Sequence, residues 1–177
     1  GVVPQLSREW HAVAERIAAT TVVVGPQTAA ATKLRAARPE QVGADRIANA
    51  VAAERFYGAP AIVVDFGTAT NIDVIDDEGY YIGGAIAPGI RISMDALTAR
   101  AAKLASVPLE TPEHNIGRDT VECVQVGAVV GAAAMAEGLV ARIKRELGTP
   151  NATVIATGGL ASVVASSSDV FDVVDGQ

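Results

Sequence analysis

Between residues 61 and 82 three strand-type segments follow one another almost without interruption, and connections this short join strands most simply as hairpins. Ala61-Ile-Val-Val-Asp-Phe66 is an apolar run rich in β-branched residues, the texture of a strand buried on both faces. Gly67-Thr-Ala-Thr70 supplies a turn, Asn71 to Ile75 a second strand, Asp76-Asp-Glu-Gly79 a hairpin turn and Tyr80 to Ile82 a third strand. Gly83-Gly-Ala-Ile-Ala-Pro-Gly89 then leads into a helix expected to end near Leu104. A long helix is expected from about Asp119 to Leu147, with Val121, Val124, Met135, Leu139 and Ile143 among its apolar positions. Thr153 to Thr157 reads as a strand, Gly158-Gly159 as a tight turn, Leu160 to Ala165 as a short helix and Val170 to Val174 as a last strand. Three strands, two helices, then strand, helix, strand is the order of an α/β protein with a mixed sheet and flanking helices.

Upstream the pattern is different. Ser7 to Ala19 reads as a helix with Ser7 as N-cap and Trp10, Val13, Ala14 and Ile17 on one face. Thr21 to Val24 is a short β-branched strand closed by Gly25-Pro26. Gly43 to Tyr57 reads as a helix with Ile47, Ala50, Val51 and Phe56 available for burial, Asp45 at its positive end and Gly58 closing it. The natural boundary falls near Pro60, with residues 1–59 the back part of one domain and 60–177 a second. The chain opens on Gly-Val-Val-Pro and stops at Asp175-Gly-Gln just past a strand, so a fragment cut at both ends is expected.

Composition excludes several classes of function. Half of the 177 residues are hydrophobic and 19% are charged, which supports a packed core rather than disorder. A net charge of −6 with scattered Lys and Arg argues against nucleic acid, whose phosphates demand a basic surface. The single cysteine, Cys123, forms no internal disulfide, in keeping with a reducing cytoplasm. It is expected to serve helix packing rather than nucleophilic chemistry, and His11 and His114 to lie on the surface. The most apolar stretch stops at Glu137, short of the roughly 20 residues a bilayer requires, so a soluble protein with no membrane partner is expected.

Four short elements could carry chemistry, and each has a plain structural reading beside the functional one. Gly43-Ala-Asp-Arg46 opens a helix: Asp45 is a favoured residue there, yet backbone N–H groups and a guanidinium at a helix mouth also bind anions, and a carboxylate there can accept a hydroxyl proton. Asp65-Phe-Gly-Thr-Ala-Thr70 puts a carboxylate at a strand end before a Gly-Thr turn, suited either to a hairpin or to a phosphate and a cation. Thr157-Gly-Gly-Leu160 is a strand–turn–helix junction that can contact a nucleotide or simply turn the chain. Gly117-Arg-Asp-Thr120 either caps the long helix or offers Thr120 to a ligand. Gly127, Gly131 and Gly138 suggest close helix contact within the chain or across a dimer, and Trp10 suits a core or an interface.

Taken in order, Pro39-Glu-Gln-Val-Gly-Ala-Asp-Arg-Ile-Ala-Asn-Ala-Val-Ala-Ala53, Val64-Asp-Phe-Gly-Thr-Ala-Thr70, Gly83-Gly-Ala-Ile-Ala-Pro-Gly89, Ile116-Gly-Arg-Asp-Thr120 and Ala156-Thr-Gly-Gly-Leu160 resemble the blocks of the type III pantothenate kinases. The resemblance implies a ribonuclease H-like fold of the actin-like ATPase kind, one domain plus the back part of a second, and a homodimer. It implies ATP-dependent phosphorylation of pantothenate at the start of coenzyme A synthesis. Gly43, Ala44, Asp45, Arg46 and Thr120 would contact pantothenate, with Asp45 the general base. Thr68 would contact ATP, supplied with Mg²⁺, and Asp65 would bind a monovalent cation, K⁺ or NH₄⁺.

Two features of the family are missing. Its opening Asp-x-Gly-Asn-Thr phosphate turn does not occur in these 177 residues, so the chain alone is expected not to turn over, and Leu34-Arg-Ala-Ala-Arg38 lacks the tyrosine expected ahead of Gly43. A non-catalytic pantothenate-binding or regulatory relative is the alternative. A strand ending in Asp-x-Gly-Asn-Thr upstream of Gly1 would favour the enzyme.

Overall fold

The computed structural model describes residues 4–28, 33–101 and 107–176. Its elements in chain order are α1 (Pro4–Ile17), α2 (Ala44–Tyr57), β1 (Ala61–Phe66), β2 (Ala69–Ile75), β3 (Tyr81–Pro88), α3 (Ile90–Arg100), α4 (Thr120–Gln125), α5 (Gly131–Leu147), β4 (Thr153–Thr157), α6 (Ala161–Ala165) and β5 (Val173–Asp175). One mixed sheet has the order β3-β2-β1-β4-β5. β1, β2 and β3 pair antiparallel, while β4 runs parallel to both β1 and β5.

The two-residue period of a strand sorts the sheet's side chains between two cores. Ile62, Val64, Phe66, Ile72, Val154 and Ala156 face one side, where Ile90 and Met94 of α3 and Ala132, Ala133, Ala136 and Val140 of α5 cover them. Ala61, Val63, Ile75 and Ile155 face the other, where α2 lays down Ile47, Ala50 and Ala53. Helix α2 precedes Pro60 yet packs directly on β1 and β2. Asp65, Asn71 and Asp73 share the parity of Val63 and Ile75, and so lie on the α2 side.

Several sequence expectations shift. Helix α1 begins at Pro4, which puts Ser7 inside it rather than at its cap, and its apolar face is not buried: Trp10 is 63% and Ile17 81% exposed. Residues 21–24 form no strand, with Val22 and Val23 exposed and no pairing partner among the described residues. On α2, Ile47 and Ala50 are buried but Val51 and Phe56 face outward.

β3 continues through Gly83 to Pro88, where a lead-in loop was expected. Gly84 permits this, because a Cβ there would run into the Ile72 carbonyl. The expected helix end near Leu104 lies outside the described residues; α3 is described to Arg100.

The long helix runs from Thr120 to Leu147 and includes a π turn at Val126–Val130. At 28 residues it is long and apolar enough to cross a bilayer by length and composition, more than the stretch ending at Glu137 indicated. Its Ala132, Ala133, Ala136 and Val140 are instead buried against the sheet. Among the described residues a Cβ at Gly127 or Gly138 would meet nothing, so neither marks a close contact between two described helices.

Candidate functional site

Helix α2 starts where Gly43, in extended backbone, hands over to Ala44. A side chain at Gly43 would strike Asp45 Oδ1, so glycine leaves that carboxylate its place at the helix mouth. Asp45 is exposed in the first turn, and Asn49 follows one turn later on the same side of the helix. Beneath them the sheet presents Asp65 from β1 and Asp73 from β2.

Asn49 joins the two elements: its Nδ2 donates to Asp65 Oδ2 at 3.2 Å and to Asp73 Oδ2 at 3.4 Å. Arg46 Nε donates to Asp73 Oδ1 at 2.6 Å, and Arg46 Nη2 reaches the Ile72 carbonyl at 3.4 Å. The Arg46 guanidinium also sits 5.5 Å from the Tyr81 ring centre. Arg46 and Asp65 therefore belong to one polar cluster, with Asn49 and Asp73 as its links, and Asp45 stands one helical turn before Asn49 at the mouth of α2.

The electrostatics follow from burial. The Asp73 side chain is 0% exposed and that of Arg46 15%. Loss of water lifts the Asp73 carboxyl above its usual range, opposed by the charge and hydrogen bond of Arg46 and the amide of Asn49. Burial pushes the Tyr81 hydroxyl up to about 12, with Arg46 opposing and Asp73 and Asp45 adding to the rise. Tyr81 therefore stays a neutral phenol across the neutral range.

Asp65 sits near the carboxyl end of β1 with its Oδ1 flanked by two glycines. A Cβ at Gly67 would approach that oxygen to 3.3 Å, and one at Gly158 would collide with it and with the Phe66 backbone. Gly158, at φ 92°, belongs to the Gly-Gly turn that leaves β4, the neighbour of β1. Thr68, exposed in the turn between β1 and β2, stands at this same end of the sheet. Its carbonyl lies so close to Gly89 that a Cβ there would clash.

Thr120 lies elsewhere. It is exposed at the start of α4, whose N-cap is Asp119 accepting from the Glu122 N–H at 2.8 Å. With Thr70, Met94 and Leu97 it lines a cavity of about 920 Å³ bounded by α3 and the π turn, and none of residues 43–46 reaches that cavity. The Thr70 hydroxyl, fully buried and without a hydrogen-bond partner among the described residues, belongs to this α3 side, whereas Asn71 and Asp73 fall on the α2 side. Within one chain the sheet stands between Thr120 and the Asp45–Asp65 cluster.

The loop ahead of α4 is held by Glu122. It accepts from the backbone N–H of Arg118 at 2.7 Å and of His114 at 3.2 Å, and lies 2.8 Å from His114 Nδ1. His114 is thus half-buried rather than a free surface residue, while His11 is exposed and pairs with Glu15 at 3.2 Å. Cys123 is exposed, its Sγ 3.4 Å from the Gly117 carbonyl, and is not part of the packed core. Among the described residues no three His, Cys, Asp or Glu side chains come together as a metal cage.

Asn49, Asp73 and Tyr81 were missed as site residues by sequence reasoning. Asp73 had a signal, an acidic residue between Ile72 and Val74 in a strand-type segment; Asn49 had only its four-residue spacing from Asp45.

The family model for type III pantothenate kinase matches residues 1–142. A type III pantothenate kinase of Parafrankia sp. is 50% identical over 172 residues, covering 96% of this chain and 68% of the relative. Those of Frankia alni and Thermomicrobium roseum are 51% and 49% identical, covering 85% and 98% of this chain and 60% and 67% of the relatives. The chain thus spans roughly six to seven tenths of the length of these relatives. A crystal structure of a Campylobacter jejuni protein described as of the Baf family matches with a TM-score of 0.54 at 23% identity, over 77% of this chain and 58% of that one, a likeness of fold. With four fifths of its length matched by the family model and half its residues identical to members of the family, the chain belongs to the type III pantothenate kinases.

Proposed function

We propose that the protein transfers the γ-phosphoryl group of ATP to the primary alcohol of pantothenate, giving 4'-phosphopantothenate and ADP at the first step of coenzyme A synthesis. The observation that carries this reading is the Asn49 link between the helix that presents Asp45 and the strand that presents Asp65. It brings a base candidate and a phosphate-side carboxylate to one face at one end of the sheet.

Asp45 acts as general base. It takes the alcohol proton as the alcohol oxygen attacks the γ-phosphorus, while the bond to the β–γ bridging oxygen breaks and ADP leaves. Such transfers depend chiefly on alignment and charge stabilisation. Gly43, Ala44 and Arg46 contact pantothenate, the exposed Thr68 hydroxyl contacts ATP, and Asp65 holds K⁺ or NH₄⁺.

The Asp65 environment fits a loosely held cation: one carboxylate oxygen lies between two glycine positions that a Cβ would fill. Mg²⁺ arrives with the nucleotide, held largely by its phosphates. When bound, these ions neutralise charge on the phosphates. A Thr120 contact to the same pantothenate comes from a second copy of the chain, since its own Thr120 lies across the sheet; this accords with a homodimer.

The sheet order β3-β2-β1-β4-β5 supports a ribonuclease H-like domain of the actin-like ATPase kind over residues 60–177. Residues 1–59 are then the back part of a preceding domain, with α2 as its contact to the sheet. The protein works in the cytoplasm, without nucleic-acid or membrane partners. A substrate panel tests the reaction on the full-length gene product. ADP release should require pantothenate, and release with a sugar or a short carboxylic acid but not with pantothenate would overturn the assignment.

A further inference from the structure

The Asp73 side chain is completely buried on the α2 face of β2, an expensive place for a carboxylate that makes no contact with solvent. Its two oxygens are divided between two partners on α2, Oδ1 taking the Arg46 Nε–H at 2.6 Å and Oδ2 the Asn49 amide at 3.4 Å. Arg46 Nη2 turns toward the Ile72 carbonyl at 3.4 Å, a position left open by Gly84, whose missing Cβ would lie 3.1 Å from that nitrogen. The Tyr81 ring stands against the guanidinium at 5.5 Å. One edge of the guanidinium is therefore fixed by β2, and among the described residues Nη1 donates to no protein group.

We infer that Asp73 is a positioning residue for the phosphate acceptor: it locks Arg46 by its Nε edge so that the free Nη1 edge faces pantothenate. The inference rests on the reading of Arg46 as a pantothenate contact. A guanidinium is a planar fork of five donors, so fixing one edge fixes the direction of the other. Asp73 touches no substrate. Its effect belongs to acceptor binding, and it leaves the nucleotide side to Thr68 and Asp65.

The test compares Asp73→Ala, Asp73→Asn, Arg46→Ala and the double variant Arg46→Ala/Asp73→Ala in the full-length gene product. Fold is checked by circular dichroism and thermal melting. Hydrogen bonds to charged groups of this kind are worth roughly tenfold or more in an equilibrium. Asp73→Ala should therefore raise KM for pantothenate about tenfold or more while KM for ATP stays within about twofold. Asp73→Asn, which keeps an acceptor for the Nε–H, should fall between wild type and Asp73→Ala, and it carries the test if the alanine variant does not fold. The double variant should match Arg46→Ala, because Asp73 has nothing to position once Arg46 is gone. An Arg46→Ala variant with normal pantothenate KM would overturn the assignment of Arg46 and this inference with it. If Arg46→Ala impairs pantothenate binding but the Asp73 variants do not, or if their effects add in the double variant, Arg46 keeps its role and the positioning by Asp73 is wrong. Equal rises in both KM values would likewise reduce Asp73 to a structural part.

Discussion

Asn49 on α2 and Asp65 on β1 meet at 3.2 Å, and this contact ties the helix that presents Asp45 to the strand end beside the Gly67-Thr68 turn. It joins two residues that lie 16 positions apart in the sequence. Much of the proposed chemistry depends on that distance being kept.

If Asp65 holds the monovalent cation, Asp65→Ala should abolish stimulation of the kinase by K⁺. Asn49→Ala, which frees Asp65 without removing its charge, should weaken that stimulation while retaining part of it. Initial rates with and without K⁺, at saturating pantothenate, check both variants. An unchanged K⁺ response in Asp65→Ala would remove Asp65 from the role.

The Gly-Gly turn after β4 gives a prediction with its own control. Gly158 has φ 92° and a Cβ there would collide with Asp65 Oδ1 and the Phe66 backbone, whereas a Cβ on Gly159 would meet nothing. Gly158→Ala should destabilise the protein by about 1–3 kcal/mol through strain and overpacking. Gly159→Ala should stay within about 0.5 kcal/mol of wild type. Denaturant melts of the two variants give the comparison, and equal stabilities would contradict the packing of this turn on Asp65.

Glu122 makes the stability of the loop before α4 depend on acid. Backbone N–H donation from Arg118, followed by the His114 ring, holds its carboxyl below the ordinary value of 4.5. A depressed carboxyl contributes stability that is fully present above 4.5 and lost as the pH falls through the lowered value. Glu122→Gln should therefore lower thermal stability near neutrality and flatten its decline on the acid side of 4.5. Melting curves parallel to wild type across that acid range would contradict the assignment.

β1 and β4 were legible because their patterns are local, whereas β2 starts at Ala69 ahead of the expected Asn71 and β5 is only Val173–Asp175 where Val170 to Val174 was expected. Ala61–Phe66 and Thr153–Thr157 occupy the spans their β-branched runs indicate, and Gly43 to Gly58 delimits α2 as its sequence suggests. The extension of β3 was not legible, since Gly83-Gly84 reads as a loop until Ile72 is known to lie beside it. The exposure of Trp10 and Ile17 was hidden for a similar reason: amphipathic spacing says which face is apolar, not whether anything covers it. At the site, Asp45 and Asp65 stand in short recognisable elements. The connection of Arg46 to Asp65 through Asp73 and Asn49 depends on how α2 crosses the sheet, which no local pattern encodes. The placement of Thr120 across the sheet is likewise a matter of topology.

The most direct test of the account is Asp45→Asn in the full-length gene product, with pantothenate binding and ATP-dependent phosphorylation measured separately. Removing a positioned general base should lower kcat by roughly 10²–10⁴-fold while the fold and pantothenate binding persist. A kcat within a few-fold of wild type would show that Asp45 does not accept the proton, and the reading of this helix mouth as the reacting centre would fail.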